Sequence, residues 1–179
     1  MNALTEFRDA SIGWLDLIAG RAGALDRFNL TRDGLTNAAT AYFVLALLNM
    51  VVQVALLGFP GWLQIALAIL INALPLFAMW AVVWASARFL KLSTIRLLVP
   101  NTYAMAFILL IGLPLTLFDQ AMFTNALIGA LGFMLYRSAR VAGGLNIGLA
   151  VSLAVVTLLA LVAMPVALYM LAAQLQGAA

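Results

Sequence analysis

The chain contains no cysteine and no histidine. Without cysteine there are no disulfides and no thiolate chemistry. Without histidine the commonest general base, metal ligand and physiological-pH switch is missing, and a Ser-His-Asp triad cannot be assembled. Charge is scarce too. Only 8% of the 179 residues are Asp, Glu, Lys or Arg, against about one quarter in an average soluble domain. No phosphate-cradling glycine loop and no pair of neighbouring catalytic carboxylates occurs. An enzyme would have to rely on Asp119 or Glu6 almost alone. The expectation is a non-enzyme that uses no cofactor and no metal.

What the chain does contain is apolar: 66% of it is hydrophobic, with a mean hydropathy of +1.14. A soluble domain of this size has no use for so much apolar surface, so the solvent is a bilayer. Eight arginines stand against one lysine, with many Ala and Leu. This usage suggests a GC-rich bacterial genome and hence a bacterial inner-membrane location. The net charge of +3 does not indicate nucleic acid, because membrane topology accounts for the basic residues.

The first 36 residues form a separate segment. Leu4, Phe7, Trp14, Ile18, Leu25 and Phe28 recur at spacings of three, four and seven, with charged residues between them. The pattern predicts an amphipathic helix of about 25 residues. Its apolar stripe suits a helix lying in the membrane interface and touching the membrane domain, with lipids as partners.

Residues 37–179 hold five apolar segments, at about 37–58, 62–87, 97–118, 121–136 and 145–173. A crossing needs roughly 20 apolar residues, so the fourth is short. Charge placement supports five crossings. Arg8, Arg21, Arg27 and Arg32 precede the first segment, Arg88, Lys91 and Arg96 follow the second, and Arg137 and Arg140 follow the fourth. With five crossings all nine basic residues fall on one side, which the positive-inside rule makes cytoplasmic. The expected fold is therefore all-α: a five-transmembrane-helix bundle behind an interfacial helix, N-terminus in and C-terminus out. Pro100 fits the first turn of the third helix, which places Asn101, Thr102 and Tyr103 near the cytoplasmic headgroups.

Several polar and small residues stand out within the spans. Asn49, Gln53 and Asn72 are either interhelical hydrogen-bonding groups or a polar patch lining a path. Gly144, Gly148 and Ser152 at the start of the fifth helix, and Ala126 and Ala130 in the fourth, form small-residue ribbons that let helices approach closely. They suit packing of those two helices or a partner interface. Pro75, Pro114 and Pro165 should kink their helices.

The stretches "ARFLKLSTIRLLVPNTYAMAFILLIGLPLTLF" and "LGFMLYRSARVAGGLNIGLAVSLAVV", with the five-span order, resemble the Yip (Ypt-interacting protein) domain family in its divergent bacterial branch. The resemblance covers roughly residues 40–172. It implies a membrane scaffold or accessory protein and transfers no catalytic residue. The expected function is thus a small multi-pass protein that binds other membrane proteins or itself, with no nucleic-acid partner. The alternative is a transporter or lipid-handling protein working through the Asn49, Gln53 and Asn72 patch as an oligomer.

Overall fold

The computed structural model describes residues 3–59, 61–115 and 120–177, and no strand occurs among them. Six α-helices follow in order: α1 Ala3–Ala19, α2 Arg32–Leu57, α3 Trp62–Phe89, α4 Thr94–Leu115, α5 Gln120–Val141 and α6 Ile147–Gly177, with one 3-10 turn at Ala24–Arg27. Four of them, α2, α3, α4 and α6, are long and apolar enough to cross a membrane. The chain is accordingly an all-helical, multi-pass membrane protein.

The N-terminal segment differs from the expected single helix. α1 has 17 residues. It ends because Gly20 turns into the left-handed region at φ 74 and the Arg21 N–H returns to the Asp16 carbonyl at 2.9 Å. Gly20 thereby makes the usual glycine stop signal of a helix. Gly23, at φ 78, redirects the chain into the 3-10 turn. Thr31 then caps α2 by accepting from the Gly34 N–H at 3.2 Å.

α4 also begins earlier than the sequence predicts. Its first residue is Thr94, so Pro100 lies inside the helix rather than in its first turn. An interior proline cannot donate to the carbonyl one turn back. Pro114 and Pro165 are likewise interior, in α4 and α6, and Pro75 in α3. The fourth apolar segment becomes α5, 22 residues long, with Arg137 and Arg140 taken into its last turns. Among the described residues α5 does not figure in the set that qualifies as spans by length and composition. Asp119 lies outside the described residues.

α4 is the centre of the molecule and touches α1, α2, α3 and α5. Over half of its apolar stretch is buried by protein (56%), against 11% for α2, 17% for α3 and 22% for α6. α3, α4, α5 and α6 close a ring, α3 against α6 and α5 between α4 and α6. α2 packs on the outside of α4 and has little contact with α3, its neighbour in sequence. Every residue from Leu97 to Phe107 is buried. α1 lies over this half of α4.

Candidate functional site

The most unusual chemistry sits where α1 meets α4. Glu6 is 1% exposed. Its Oε2 accepts from Asn37 Nδ2 of α2 at 2.8 Å and from Asn29 Nδ2 at 3.4 Å. Its Oε1 accepts from the Tyr103 hydroxyl of α4 at 3.2 Å. The carboxylate thus joins three parts of the fold through neutral donors, and none of the three ion pairs among the described residues involves it. Buried carboxylates need such partners, because an unpaired one carries a large desolvation penalty.

The local sequence explains why α1 can place Glu6 there. Glu6, Ala10, Gly13 and Leu17 share one helical face and all four are buried. Ala10 and Gly13 are small, so α1 approaches closely; a β-carbon on Gly13 would lie 2.8 Å from the Phe28 ring. Trp14 flanks this face and donates from Nε1 to the Pro100 carbonyl at 3.0 Å. Phe7, Phe28, Tyr103 and Phe107 complete an aromatic cluster, with the Phe7 and Phe107 centroids 5.1 Å apart. On α3, Trp80 Nε1 donates to Thr102 Oγ1 at 2.9 Å. The polar residues expected at a helix start therefore form the buried heart of the fold. Among them the Asn101 Oδ1 has no hydrogen-bond partner among the described residues, and neither has the Ser138 hydroxyl of α5.

Charged groups staple the arm from outside. Asp16 accepts from Arg21 Nη1 and Arg27 Nε, both at 2.8 Å. The hydrogen bond from Arg21, and then that from Arg27, hold the Asp16 carboxyl below its ordinary value. Arg137 of α5 donates from Nε and Nη2 to the Leu17 carbonyl at 3.0 and 2.6 Å. A cation at the C-terminal end of α1 complements its dipole. Arg140 similarly holds the Leu145 carbonyl at 2.6 Å. The Arg88 guanidinium lies 5.4 Å from the Trp84 ring centroid. Lys91 and Arg96 are exposed.

The other sequence candidates are placed as follows. Of the amphipathic stripe, Trp14 and Phe28 are buried and Phe7 and Leu25 pack against the core, whereas Leu4 and Ile18 are 77% and 44% exposed. Gln53 Nε2 donates to Asn49 Oδ1 at 3.2 Å, one turn away on the same helix. Asn72 does not join them; its amide bonds the Ala68 carbonyl at 2.8 Å. Gln53 instead borders a cleft of about 320 Å³ between α2 and α3 that also contains Gln64. Gly144 lies in the loop before α6 at φ 62 and not on a helical ribbon. Gly148, Ser152, Ala126 and Ala130 are exposed. The close α5–α6 contact is made by Gly132, where a β-carbon would lie 2.8 Å from Leu158 Cδ1. The available signal was the pair Gly129 and Gly132 in the apolar run of α5.

Chemically, the Glu6 cluster acts as a lock: acceptors, donors and aromatic cover join α1, α2 and α4 with almost no solvent access. No group of three or more acidic, His or Cys residues suited to a metal occurs among the described residues. Comparison with protein-family models, curated proteins and solved structures finds no match for this chain.

Proposed function

We propose that this protein is a non-enzymatic scaffold or accessory subunit of a bacterial inner membrane, which binds a second membrane protein through the outer face of α5. The observation behind this is the character of that face. Asn125, Ala126, Gly129 and Ala130 are all exposed on α5, and a β-carbon on Gly129 would meet nothing within 4 Å. Small residues let another helix approach, and an amide such as Asn125 is better matched to a partner helix than to lipid tails. The helix least suited to face lipid thus carries the most partner-like surface.

In this reading α5 crosses with the other four, held between α4 and α6. Five crossings put every basic residue on the cytoplasmic side, with the N-terminus in and the C-terminus out. α1 lies in the cytoplasmic interface, its outward edge of Leu4, Leu15 and Ile18 against lipid. The resemblance to the Yip family points the same way and rests on the two quoted stretches.

The test is purification at native expression level in lipid nanodiscs, comparing the parent with an Ala126→Leu/Gly129→Leu variant by mass spectrometry of co-purifying proteins. A stoichiometric partner lost in the variant supports the proposal, and identical partners, or none in the parent, refute it. The polar-path alternative has Gln53 and Gln64 beside the α2–α3 cleft in its favour. It requires a liposome flux that Asn49→Leu/Gln53→Leu abolishes.

A further inference from the structure

A groove of about 450 Å³ runs between the end of α3 and the first half of α6. Phe89 and Leu90 form one side, Leu149, Leu153 and Val156 the other, with the Ser152 hydroxyl among them. Both helices belong to the set able to span a membrane, α3 up to Phe89 and α6 from Ile147. The groove therefore opens sideways toward acyl chains, and its mouth lies where the chain leaves the bilayer.

Three cations belong to the segments that meet at that mouth. Arg88 and Lys91 flank the groove residues Phe89 and Leu90 in sequence. Arg140 is held to the Leu145 carbonyl at 2.6 Å, and Leu145 packs in one cluster with Leu153 and Leu90. None of the three cations takes part in an ion pair among the described residues. The sequence offers them no nearby acid: between Asp33 and the C-terminus only Asp119 is acidic, and in sequence it follows the far end of α4. The start of α6 is already capped, the Leu149 N–H donating to Asn146 Oδ1 at 2.9 Å, so an anion at this mouth would be held by side chains.

Lys91 adds a second, independent sign. It is the only non-glycine residue with positive φ among the described residues, at φ 56. It occupies the left-handed position of a helix-ending motif in which the Leu92 N–H bonds the Ala87 carbonyl at 2.8 Å. Glycine is the easy residue there, yet this position carries the chain's one lysine. Backbone strain of this kind concentrates at functional positions.

The geometry points to a binding site for one anionic phospholipid, with an acyl chain in the α3–α6 groove and its phosphate among Arg88, Lys91 and Arg140. Basic pockets between membrane helices suit such headgroups. The inference rests on the membrane-spanning character of α3 and α6 and is independent of any partner on α5.

The experiment uses the full chain in phosphatidylcholine nanodiscs doped with phosphatidylglycerol or phosphatidylcholine probes carrying the same diazirine-labelled acyl chain, with crosslinks mapped by peptide mass spectrometry. The phosphatidylglycerol probe should label Phe89, Leu149 and Leu153 above the general level on α2. Unlabelled phosphatidylglycerol should compete, and inorganic phosphate should not. Lys91→Gly suits the backbone, so the variant should fold as well as the parent while its preference for phosphatidylglycerol falls about fivefold. Ser152→Leu should reduce groove labelling by either probe. Equal labelling by the two probes in the parent, competition by inorganic phosphate, or an unchanged preference in folded Lys91→Gly would each overturn the assignment.

Discussion

Replacing Glu6 by Ala should release α1 from the membrane domain without unfolding it. The substitution leaves the Tyr103 hydroxyl and the Asn37 amide of a buried cluster without their acceptor. Each buried donor stranded in this way costs about 1–3 kcal/mol. The 2.8 Å bond from Asn37 is the strong one, the 3.2 Å bond from Tyr103 is longer, and the 3.4 Å bond from Asn29 contributes little. The expected loss is about 3 kcal/mol, a roughly 100- to 200-fold change in the docking equilibrium. The chain has no cysteine, so docking can be read with a single thiol at Ala10, which is 0% exposed. In Ala10→Cys, maleimide labelling is limited by arm opening, and adding Glu6→Ala should accelerate it by about two powers of ten. Glu6→Gln keeps one acceptor but sets an NH₂ against donors, and should accelerate it about tenfold. Tyr103→Phe combined with Glu6→Ala should cost less than the sum of the two single changes, because they share one bond. A thiol placed instead at Ala150 of α6, also 0% exposed, should stay protected throughout. If Glu6→Ala labels at the parent rate within about threefold, the arm is held by Ala10, Trp14 and Phe28 packing alone, and the lock assignment fails.

Further expectations concern the same arm and the orientation. In Gly34→Ala the new β-carbon would run into the backbone carbonyl of Asn29, so thermal unfolding should show a loss of roughly 3 kcal/mol; Gly129→Ala, in open space, should be neutral or slightly stabilising. Trp14→Phe removes the bond to the Pro100 carbonyl and should weaken docking by about 1 kcal/mol when measured in the Ala10→Cys background by the same labelling assay. The Asp16 carboxyl is lowered from its ordinary 3.8, so its contribution is fully present above that value and is lost as pH falls below it through the lowered value. Hydrogen exchange of residues 3–30, corrected for intrinsic rates, should be flat at neutral pH and rise in acid, whereas Asp16→Asn should show the raised level at every pH. Thiols at Ser93 and Phe59, exposed on either side of α3, should react with impermeant reagents from opposite faces, Ser93 from the cytoplasm; the reverse would overturn the charge-based orientation. Ser138 is unsuited to that test because it is fully buried.

Composition alone determined the broad class of this protein. Two-thirds apolar residues and runs near twenty long leave a helical membrane protein as the physical solution, since every backbone group in lipid must be bonded within its own segment. The breaks were legible as well, because Phe59-Pro60-Gly61 and the Arg88–Arg96 stretch interrupt those runs with turn formers and charges. The stop at Gly20 was legible only in part: Gly13, Gly20 and Gly23 weaken a helix in water, but they do not show that a left-handed turn at Gly20 ends it. Tertiary structure decided which face of α1 goes inward. Hydrophobicity centred the inward face on the stripe of Leu4, Phe7, Trp14 and Ile18, yet the docked face is rotated toward Glu6, Ala10, Gly13 and Leu17, so that Phe7 and Trp14 flank the contact while Leu4 and Ile18 stay exposed, because close approach and three waiting donors outweigh apolar area at those positions. The same contest settled Asn101 to Tyr103. One-dimensional pattern gives a polar cluster after a basic loop to the headgroups, but α1, α2, α3 and α5 all converge on that half of α4 and enclose it. A sequence shows what each residue prefers to touch; only the packed helices decide which neighbours are there to be touched.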